Sequence, residues 1–374
     1  MLNKIKFFDF TFMNESVKDE IFNTFESFYD EQSYIMGKGL IDFETSYAQY
    51  SKTDFCIGVA NGLDAIILCL KVLNIGKNDE VLVPSNTYIA TWLAVTSVGA
   101  KPIPVEPRIS TYNINPENIP CLITNKTKAI IAVNLYGQPC EMDELLSIAN
   151  KFNLYLIEDN AQSQGATYKN KKTGSFGIIN ATSFYPGKNL GALGDAGAIT
   201  TSQFDLYSNV KTLRNYGSNK KYYNEVIGVN SRLDEIQARI LQIKLNKLDF
   251  WNNERIKIAN LYYANLKNIE QIELPIFISD TQHVYHQFVI RTKFRDKLID
   301  FLISKGVSTL IHYPIPPHLQ LAYKNLDFKK GDFPVAEEIS ETCLSLPIYP
   351  GLKNDDILYV TESIRSFFNK KNSV

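Results

Sequence analysis

One lysine surrounded by glycines is the most reactive candidate in the sequence. Lys188 lies in the run SFYPGKNLGALGDAG (183–197), which has glycines at 187, 191, 194 and 197. A poorly solvated lysine has a lowered pKa, and its neutral amine can attack a carbonyl to form a Schiff base. The run matches neither G-x-x-x-x-G-K-[ST] nor G-x-G-x-x-G, so those nucleotide-binding motifs do not explain it. An ordinary solvated loop lysine is the structural alternative.

Two other places carry groups that bind ligands. Asn61-Gly62-Leu63 follows an apolar run and opens a helical pattern, where free N–H groups can hold a phosphate. A plain strand-to-helix turn would have the same residues. Asp159 ends another apolar run, and its carboxylate could bind a cationic group or a metal, or simply cap the next segment. The adjacent Glu158 points to the opposite face if the strand persists, so we expect a structural role for it.

The elements that must position these groups are short strands that alternate with helices. The strands are predicted at 55–60, 81–83, 101–105, 129–133, 154–157, 181–185 and 198–201. Such alternation predicts an α/β fold whose mostly parallel sheet is covered on both faces. The prolines in 101–105 place that strand near an edge. Ligands bind beyond the carboxyl ends of such strands, which is where all three places fall.

The chain changes character after about residue 202. The elements predicted there are one long amphipathic helix at 233–248, strands at 288–291 and 309–313, and helices at 296–304 and 355–368. None of these forms a run of buried parallel strands. We therefore predict a large domain of residues 1–240 and a smaller C-terminal α/β domain of residues 241–374.

Composition excludes several classes of protein. The chain has 374 residues with 39 Lys and Arg against 40 Asp and Glu, a net charge of −1 that argues against nucleic-acid or membrane partners. The five cysteines are spread without a C-x-x-C, which indicates buried thiols in a reducing compartment and no zinc site. No stretch is long and apolar enough to span a bilayer, and the N-terminus lacks a signal-peptide core. We expect a soluble cytoplasmic enzyme without a metal.

Motifs spread over nearly the whole chain resemble one family, the DegT/DnrJ/EryC1/StrS nucleotide-sugar aminotransferases. The matching segments are GVANGLDAI, VPSNTYIATWLAV, LYGQPCEMD, IEDNAQSQGA, SFYPGKNLGALGDAGAITT, LRNYGS, GVNSRLDEIQARIL and TLIHYPIPPH. The resemblance implies the aspartate-aminotransferase fold (fold type I). It also implies pyridoxal 5′-phosphate (PLP) as cofactor, held by the large domain, and pyridoxamine phosphate as its aminated form.

The resemblance also implies roles for individual residues. Lys188 matches the lysine that forms the Schiff base with PLP and moves the proton, and Asp159 matches the carboxylate that pairs with the pyridine nitrogen. Gln162 matches a side chain near the ring oxygen, and Tyr88 matches an aromatic residue stacked on the ring. The phosphate cradle is matched by Gly62, Leu63 and Ser183. Asn230 matches a residue that reaches the phosphate in the neighbouring subunit. The last of these implies a homodimer with shared active sites.

The residues before Lys188 indicate the substrate. Tyr185-Pro186-Gly187 resembles enzymes that aminate C3 of dTDP-sugars. This implies transfer from L-glutamate to dTDP-3-keto-6-deoxyhexose, in the gluco or galacto form, with 2-oxoglutarate as co-product, for surface polysaccharide (O-antigen) or glycan biosynthesis. Tyr185, His312 and Tyr313 are candidates for sugar or pyrophosphate contacts, although His312 could equally be a packed histidine at a strand end.

Several alternatives stay open at this point. Amination at C4 by an enzyme of the same family is one, and a non-catalytic PLP-binding regulatory protein is a remote one. A PLP-dependent sugar dehydratase is disfavoured, because known examples have His where this chain has Lys188. Asn134, Asn160 and Gln164 depart from residues common in relatives, which leaves the exact sugar preference open.

Overall fold

The computed structural model of the chain describes residues 4–371, which alternate between helices and strands. The α-helices are α1 (Thr11–Glu15), α2 (Lys18–Glu31), α3 (Lys38–Ser51), α4 (Gly62–Val72), α5 (Ile89–Ser97), α6 (Met142–Phe152), α7 (Phe204–Leu213), α8 (Glu235–Leu245), α9 (Leu248–Leu266), α10 (Arg295–Ser304), α11 (Pro334–Thr342) and α12 (Asn354–Lys371). The strands are β1 (Phe55–Val59), β2 (Glu80–Pro84), β3 (Lys101–Val105), β4 (Thr127–Val133), β5 (Tyr155–Asp159), β6 (Thr167–Tyr168), β7 (Lys171–Lys172), β8 (Ile179–Ser183), β9 (Gly197–Thr201), β10 (Ser218–Lys220), β11 (Tyr223–Asn224), β12 (Thr281–Gln282), β13 (Phe288–Arg291) and β14 (Cys343–Leu346).

A seven-stranded sheet with the order β1-β9-β8-β5-β4-β2-β3 forms the centre of the fold. Its neighbouring strands are parallel except for β9, which runs antiparallel to both β1 and β8. The prediction of an α/β fold with a mostly parallel sheet is therefore confirmed. β3 is at the edge of the sheet and pairs only with β2. Its two prolines lack a backbone N–H, but at an edge there is no second neighbouring strand to which that group would have to donate.

Both faces of this sheet are buried, which explains its continuous apolar strands. Along β4, Ala129 and Ile131 face a core that contains Trp92, whereas Ile130 and Ala132 face one that contains Met142. Successive side chains of a strand point to opposite faces, so most positions of a strand that is covered on both sides favour an apolar residue. The two covering layers hold the strand ends rigidly.

The C-terminal part is built around the two-stranded antiparallel pair β13–β14. Helices α9, α10 and α12 contribute apolar side chains to its core, among them Tyr262, Leu298 and Ile364. Ile5 from the beginning of the chain belongs to the same core. The domain boundary near residue 240 stays a prediction. No helix within residues 4–371 is long and apolar enough to cross a membrane.

Three local predictions were wrong. The helix predicted at 233–248 is two helices, α8 and α9, and the apolar stripe continues through the break because Leu245 and Leu248 pack into the same core. The predicted strand at 309–313 makes only one bridge, at Leu310, before the chain reaches Pro314. Cys121 is exposed, whereas the other four cysteines are buried as expected.

Candidate active site

Four parallel strands, β1, β2, β5 and β8, end at the same edge of the sheet and bring most of the predicted site residues together. Gly62 and Leu63 follow β1, Tyr88 follows β2, and Asp159 ends β5. Ser183 ends β8, and the turn that carries Lys188 comes directly after it. The site thus follows from parallel topology, because residues far apart in sequence meet where parallel strands end.

Lys188 is held on a tight turn by backbone hydrogen bonds. Its N–H donates to the Tyr185 carbonyl at 2.8 Å, and the next turn of chain passes so close that a Cβ at Gly191 would lie 2.1 Å from the Pro186 oxygen. Burial lowers the pKa of Lys188 to about 8, and the Asp159 carboxylate acts in the opposite direction. A substantial fraction of the amine is therefore neutral near pH 8, as a nucleophile or general base requires.

Asp159 is a buried carboxylate without a full set of partners. It is 5% exposed and accepts hydrogen bonds from the Ala161 N–H at 3.1 Å and the Thr91 hydroxyl at 3.2 Å. Burial raises the pKa of this carboxyl, while these two donors and Lys188 lower it. An additional cationic group at this position would favour the charged carboxylate. Sequence reasoning missed Thr91, although it lies three residues after Tyr88, on the same side of the first turn of α5.

The start of α4 forms a cradle of backbone N–H groups. Asn61 caps the helix by accepting the Asp64 N–H at 2.9 Å, as expected for this residue type. The N–H groups of Gly62 and Leu63 have no acceptor within the helix. A Cβ at residue 62 would lie 2.5 Å from the Ser183 Cβ, so glycine is required for α4 to approach β8. The cradle suits an anion such as a phosphate.

Gln162, Tyr313 and Tyr88 form one wall of the site. The Gln162 Oε1 accepts the Tyr136 N–H at 2.7 Å, and its Nε2 donates to the Tyr313 hydroxyl at 3.1 Å. The rings of Tyr313 and Tyr88 have centroids 5.2 Å apart. Tyr88 and Tyr185 are 53% and 58% exposed, so the site opens to solvent on this side.

His312 is both packed and close to the reactive lysine. Its Nδ1 lies 2.8 Å from the Ser345 hydroxyl, and its carbonyl accepts a hydrogen bond from the Tyr136 hydroxyl. Burial, with a smaller contribution from the Lys188 charge, lowers the pKa of His312 to about 4. The imidazole is therefore neutral at physiological pH.

Asn230 is the one predicted residue that does not join this group. Its side chain is exposed and donates to the Tyr216 hydroxyl at 2.9 Å. The neighbouring Ser231 is buried and accepts the Ala60 N–H at 3.2 Å, next to the start of α4. Asn230 is thus presented on the surface beside the cradle.

The residues present fit pyridoxal phosphate. The cofactor has an aldehyde, a ring nitrogen that can be protonated and a phosphate. Lys188 offers an amine with a lowered pKa, Asp159 a buried carboxylate that forms no ion pair within residues 4–371, and Gly62 with Leu63 the free N–H groups of a helix start.

Comparison with known proteins agrees with this geometry. Residues 15–365 match the DegT/DnrJ/EryC1/StrS aminotransferase family. A dTDP-3-amino-3,6-dideoxy-alpha-D-galactopyranose transaminase of Aneurinibacillus thermoaerophilus is 48% identical over 97% of this chain and 99% of its own. A dTDP-3-amino-3,4,6-trideoxy-alpha-D-glucose transaminase of Streptomyces venezuelae is 42% identical over 97% and 96%. The crystal structure of S. venezuelae DesV in complex with a ketimine intermediate superposes with a TM-score of 0.96 at 42% identity, covering 97% of this chain and 98% of that one.

Proposed function

This chain belongs to the DegT/DnrJ/EryC1/StrS aminotransferase family, and we propose that it aminates C3 of a dTDP-linked 3-keto-6-deoxyhexose. It is a transaminase that uses PLP. Two relatives that match almost the full chain are named for products with the amino group at C3 of a dTDP-sugar. The observation that carries the proposal is Lys188, whose amine has a lowered pKa and lies within electrostatic reach of Asp159.

The roles of the site residues follow from their chemistry. When bound, PLP supplies an electron-withdrawing ring that stabilises negative charge on the carbon from which the proton is removed. Lys188 would hold the cofactor's aldehyde carbon and, once released, its Nζ would take the proton from the donor's α-carbon and later return it. Asp159 would keep the ring nitrogen protonated, because its buried carboxylate gains a compensating charge there.

The remaining anchors would fix the cofactor in place. The N–H groups of Gly62 and Leu63 and the Ser183 hydroxyl would bind the phosphate. Tyr88 would stack on the ring, and Gln162 would lie near the ring oxygen. The hydrogen bond of Gln162 to the Tyr313 hydroxyl links this wall to the C-terminal part of the chain, so that part contributes directly to the cofactor pocket.

We assign Tyr185, His312 and Tyr313 to the sugar nucleotide. The exposure of Tyr185 agrees with a place at the mouth of the site, where an extended substrate would enter. A neutral His312 would form hydrogen bonds with sugar hydroxyls but would not pair electrostatically with the diphosphate. L-Glutamate is the amino donor in this proposal, and 2-oxoglutarate is the co-product.

The catalytic unit in this proposal is a homodimer. Asn230 would reach the phosphate of the neighbouring subunit's cofactor, which agrees with the exposure of its side chain. We also place the enzyme in the cytoplasm and its product in surface-polysaccharide (O-antigen) or other glycan biosynthesis. Five free cysteines support a reducing compartment.

The regiochemistry is tested by comparing separate reactions with different keto sugars. The purified enzyme is incubated with L-glutamate and, separately, with the gluco and galacto dTDP-3-keto-6-deoxyhexoses and a dTDP-4-keto-6-deoxyhexose, and the products are identified by mass and NMR. We expect a 3-amino sugar from one or both 3-keto epimers. Preferred amination of the 4-keto sugar would contradict the assignment to C3.

Lys188→Ala tests the catalytic assignment. The variant should retain less than about one thousandth of the parental turnover, because both the cofactor linkage and the proton shuttle are lost. Lys38→Ala, which removes an exposed lysine, is the control and should keep full activity. The parent should show a visible absorbance band that disappears when L-glutamate is added. A band that no amino donor changes would instead favour a non-catalytic PLP-binding protein.

A further inference from the structure

Asn189, the residue after the reactive lysine, has a fully determined side-chain orientation. It is 2% exposed, and its Nδ2 donates to the Asn252 Oδ1 at 2.8 Å and to the Val284 carbonyl at 3.1 Å. The Val284 carbonyl can only accept a hydrogen bond, and the Asn252 Oδ1 is identified as the acceptor because the Asn252 Nδ2 donates to the Gln164 carbonyl at 2.9 Å. The amide of Asn189 therefore cannot be flipped without losing two hydrogen bonds. Its Oδ1 faces the Nδ1 of His286 at 3.3 Å.

This contact fixes where His286 carries its proton. The Oδ1 of an amide can only accept a hydrogen bond, so the Nδ1 of His286 must be the donor. A neutral imidazole with its proton on Nδ1 has a lone pair on Nε2. That nitrogen makes no hydrogen bond with any other group in the described part of the chain, residues 4–371.

The surroundings of His286 keep its ring neutral. Burial lowers the pKa of His286 well below the usual range, and positive charge on Lys188, Arg255, His312 or His283 lowers it further. The ring also lies beside the segment that carries the lysine, because its Nδ1 contacts Asn189, the residue that directly follows Lys188. Arg255 also donates to the carbonyls of Tyr285 and Ile348, at 3.3 and 2.9 Å, and so holds the backbone next to the ring.

We propose that His286 is a positioning residue for Lys188, held by Asn189 as the Nδ1–H tautomer so that Nε2 can accept a hydrogen bond from the lysine ammonium. This rests on the proposed role of Lys188 as proton carrier. When Lys188 has taken the proton from the donor's α-carbon, its ammonium lies in a poorly solvated site. A neutral acceptor orients that ammonium without the strong stabilisation of a second carboxylate, which would hinder return of the proton.

The tautomer can be tested without any turnover. The chain has four histidines, so ¹⁵N-histidine labelling with His286→Gln as the assignment variant identifies the two ring nitrogens of His286. Between about pH 6 and 8 we expect a protonated Nδ1 and an unprotonated Nε2 in the parent. In Asn189→Ala the two tautomers should become mixed. A parent that shows a proton on Nε2, or an imidazolium, overturns the proposal.

The effect on Lys188 is tested by kinetics of the half-reaction with L-glutamate. His286→Phe keeps a ring of similar shape without an acceptor, and we expect its rate to fall about tenfold or more, with a larger isotope effect from α-deuterated glutamate. His286→Gln, which can still accept a hydrogen bond, should regain part of the rate. His318→Gln removes a buried histidine that contacts Glu337, and it serves as the control.

The outcomes separate this proposal from the general function. A parental rate and isotope effect in His286→Phe would overturn the positioning role. A fall in thermal stability without a larger isotope effect would overturn it too, since a purely structural residue acts in that way. If Lys188→Ala retained turnover, the proposed role of the lysine would fail. The ¹⁵N measurement would still show which ring nitrogen of His286 carries the proton, because it does not depend on turnover.

Discussion

Lys188 lies in an environment that disfavours the charged form of its side chain. Burial lowers its pKa from 10.5 to about 8, so below pH 8 the cofactor-free folded protein holds a buried ammonium. The folded state without cofactor should therefore be less stable than it would be with a neutral side chain at this position.

Lys188→Met should stabilise the cofactor-free protein at neutral pH. Below pH 8 the lysine is charged in both the folded and unfolded states, and the folded state bears the full desolvation penalty. Between pH 8 and 10.5 the unfolded chain retains a proton that the folded one has lost, so the parent gains stability as pH rises. Thermal unfolding measured from pH 7 upward should give the Met variant a higher melting temperature than the parent, and this difference should shrink toward pH 10.5. A difference in melting temperature that does not depend on pH would contradict this, and Lys38→Met is the matched control.

Gly62→Ala should impair the phosphate cradle. The new Cβ would lie 2.5 Å from the Ser183 Cβ, so α4 and β8 must separate. We expect the dissociation constant of PLP to rise by about tenfold or more and the melting temperature to fall. Gly187→Ala is the control, because its Cβ would meet only the Tyr185 ring, at 3.5 Å. PLP binding measured by absorbance titration would decide, and unchanged binding in Gly62→Ala would contradict the cradle.

Among the elements, α3 depends on one buried carboxylate from α8. Glu235 accepts the N–H groups of Gly37, Gly39 and Leu40 at 3.0, 2.7 and 3.0 Å, which are groups at the start of α3 without acceptors in the helix. Arg239, one turn later on α8, also contacts it at 3.1 Å. The same α3 packs Phe43 and Tyr47 against Phe184, the residue that begins the turn of Lys188.

Removing this carboxylate should be costly. Glu235→Ala leaves the three N–H groups at the start of α3 without their acceptor and leaves Arg239 only the exposed Glu31 as a partner, and we expect a loss of about 3 kcal/mol in the free energy of unfolding. Glu31→Ala removes an exposed carboxylate that contacts the same arginine, and its effect should be much smaller because solvent screens an exposed ion pair. Urea denaturation of both variants measures the difference. Equal effects would show that the start of α3 does not depend on Glu235.

At the scale of the whole molecule, the proposed sharing of active sites makes a quantitative prediction. Lys188→Ala and Asn230→Ala should each be nearly inactive as homodimers. In a mixed dimer, one site has an intact Lys188 together with an intact Asn230 from the other subunit. Refolding the two variants together should restore about a quarter of the parental activity, because half of the dimers are mixed and each has one intact site.

The alternative outcomes are distinct. No recovery on mixing, with Asn230→Ala itself inactive, would show that Asn230 acts within its own subunit. Full activity of Asn230→Ala alone would show that the residue is not needed. The size of the assembly should be measured on the same samples by light scattering, so that a protein that is monomeric is recognised at once.

The sequence alone determined the alternation of strands and helices, because apolar runs and helical periodicity are local properties that burial on one or two faces imposes. It also determined the start of a helical pattern after Asn61 and the resemblance that singled out Lys188 and Asp159. Local patterns could not place the break between α8 and α9, since both helices turn apolar residues to one core. They also could not show that 309–313 makes only one bridge.

Only the tertiary structure decided which distant groups act on one another. Thr91 contacts Asp159, the Tyr313 hydroxyl contacts Gln162, and Asn189 fixes the tautomer of His286. Each of these contacts joins residues from different elements, and a hydrogen bond depends on distance and direction in space. The lowered pKa of Lys188 has the same origin, because burial is a property of the packed fold and cannot be read from the residues next to it.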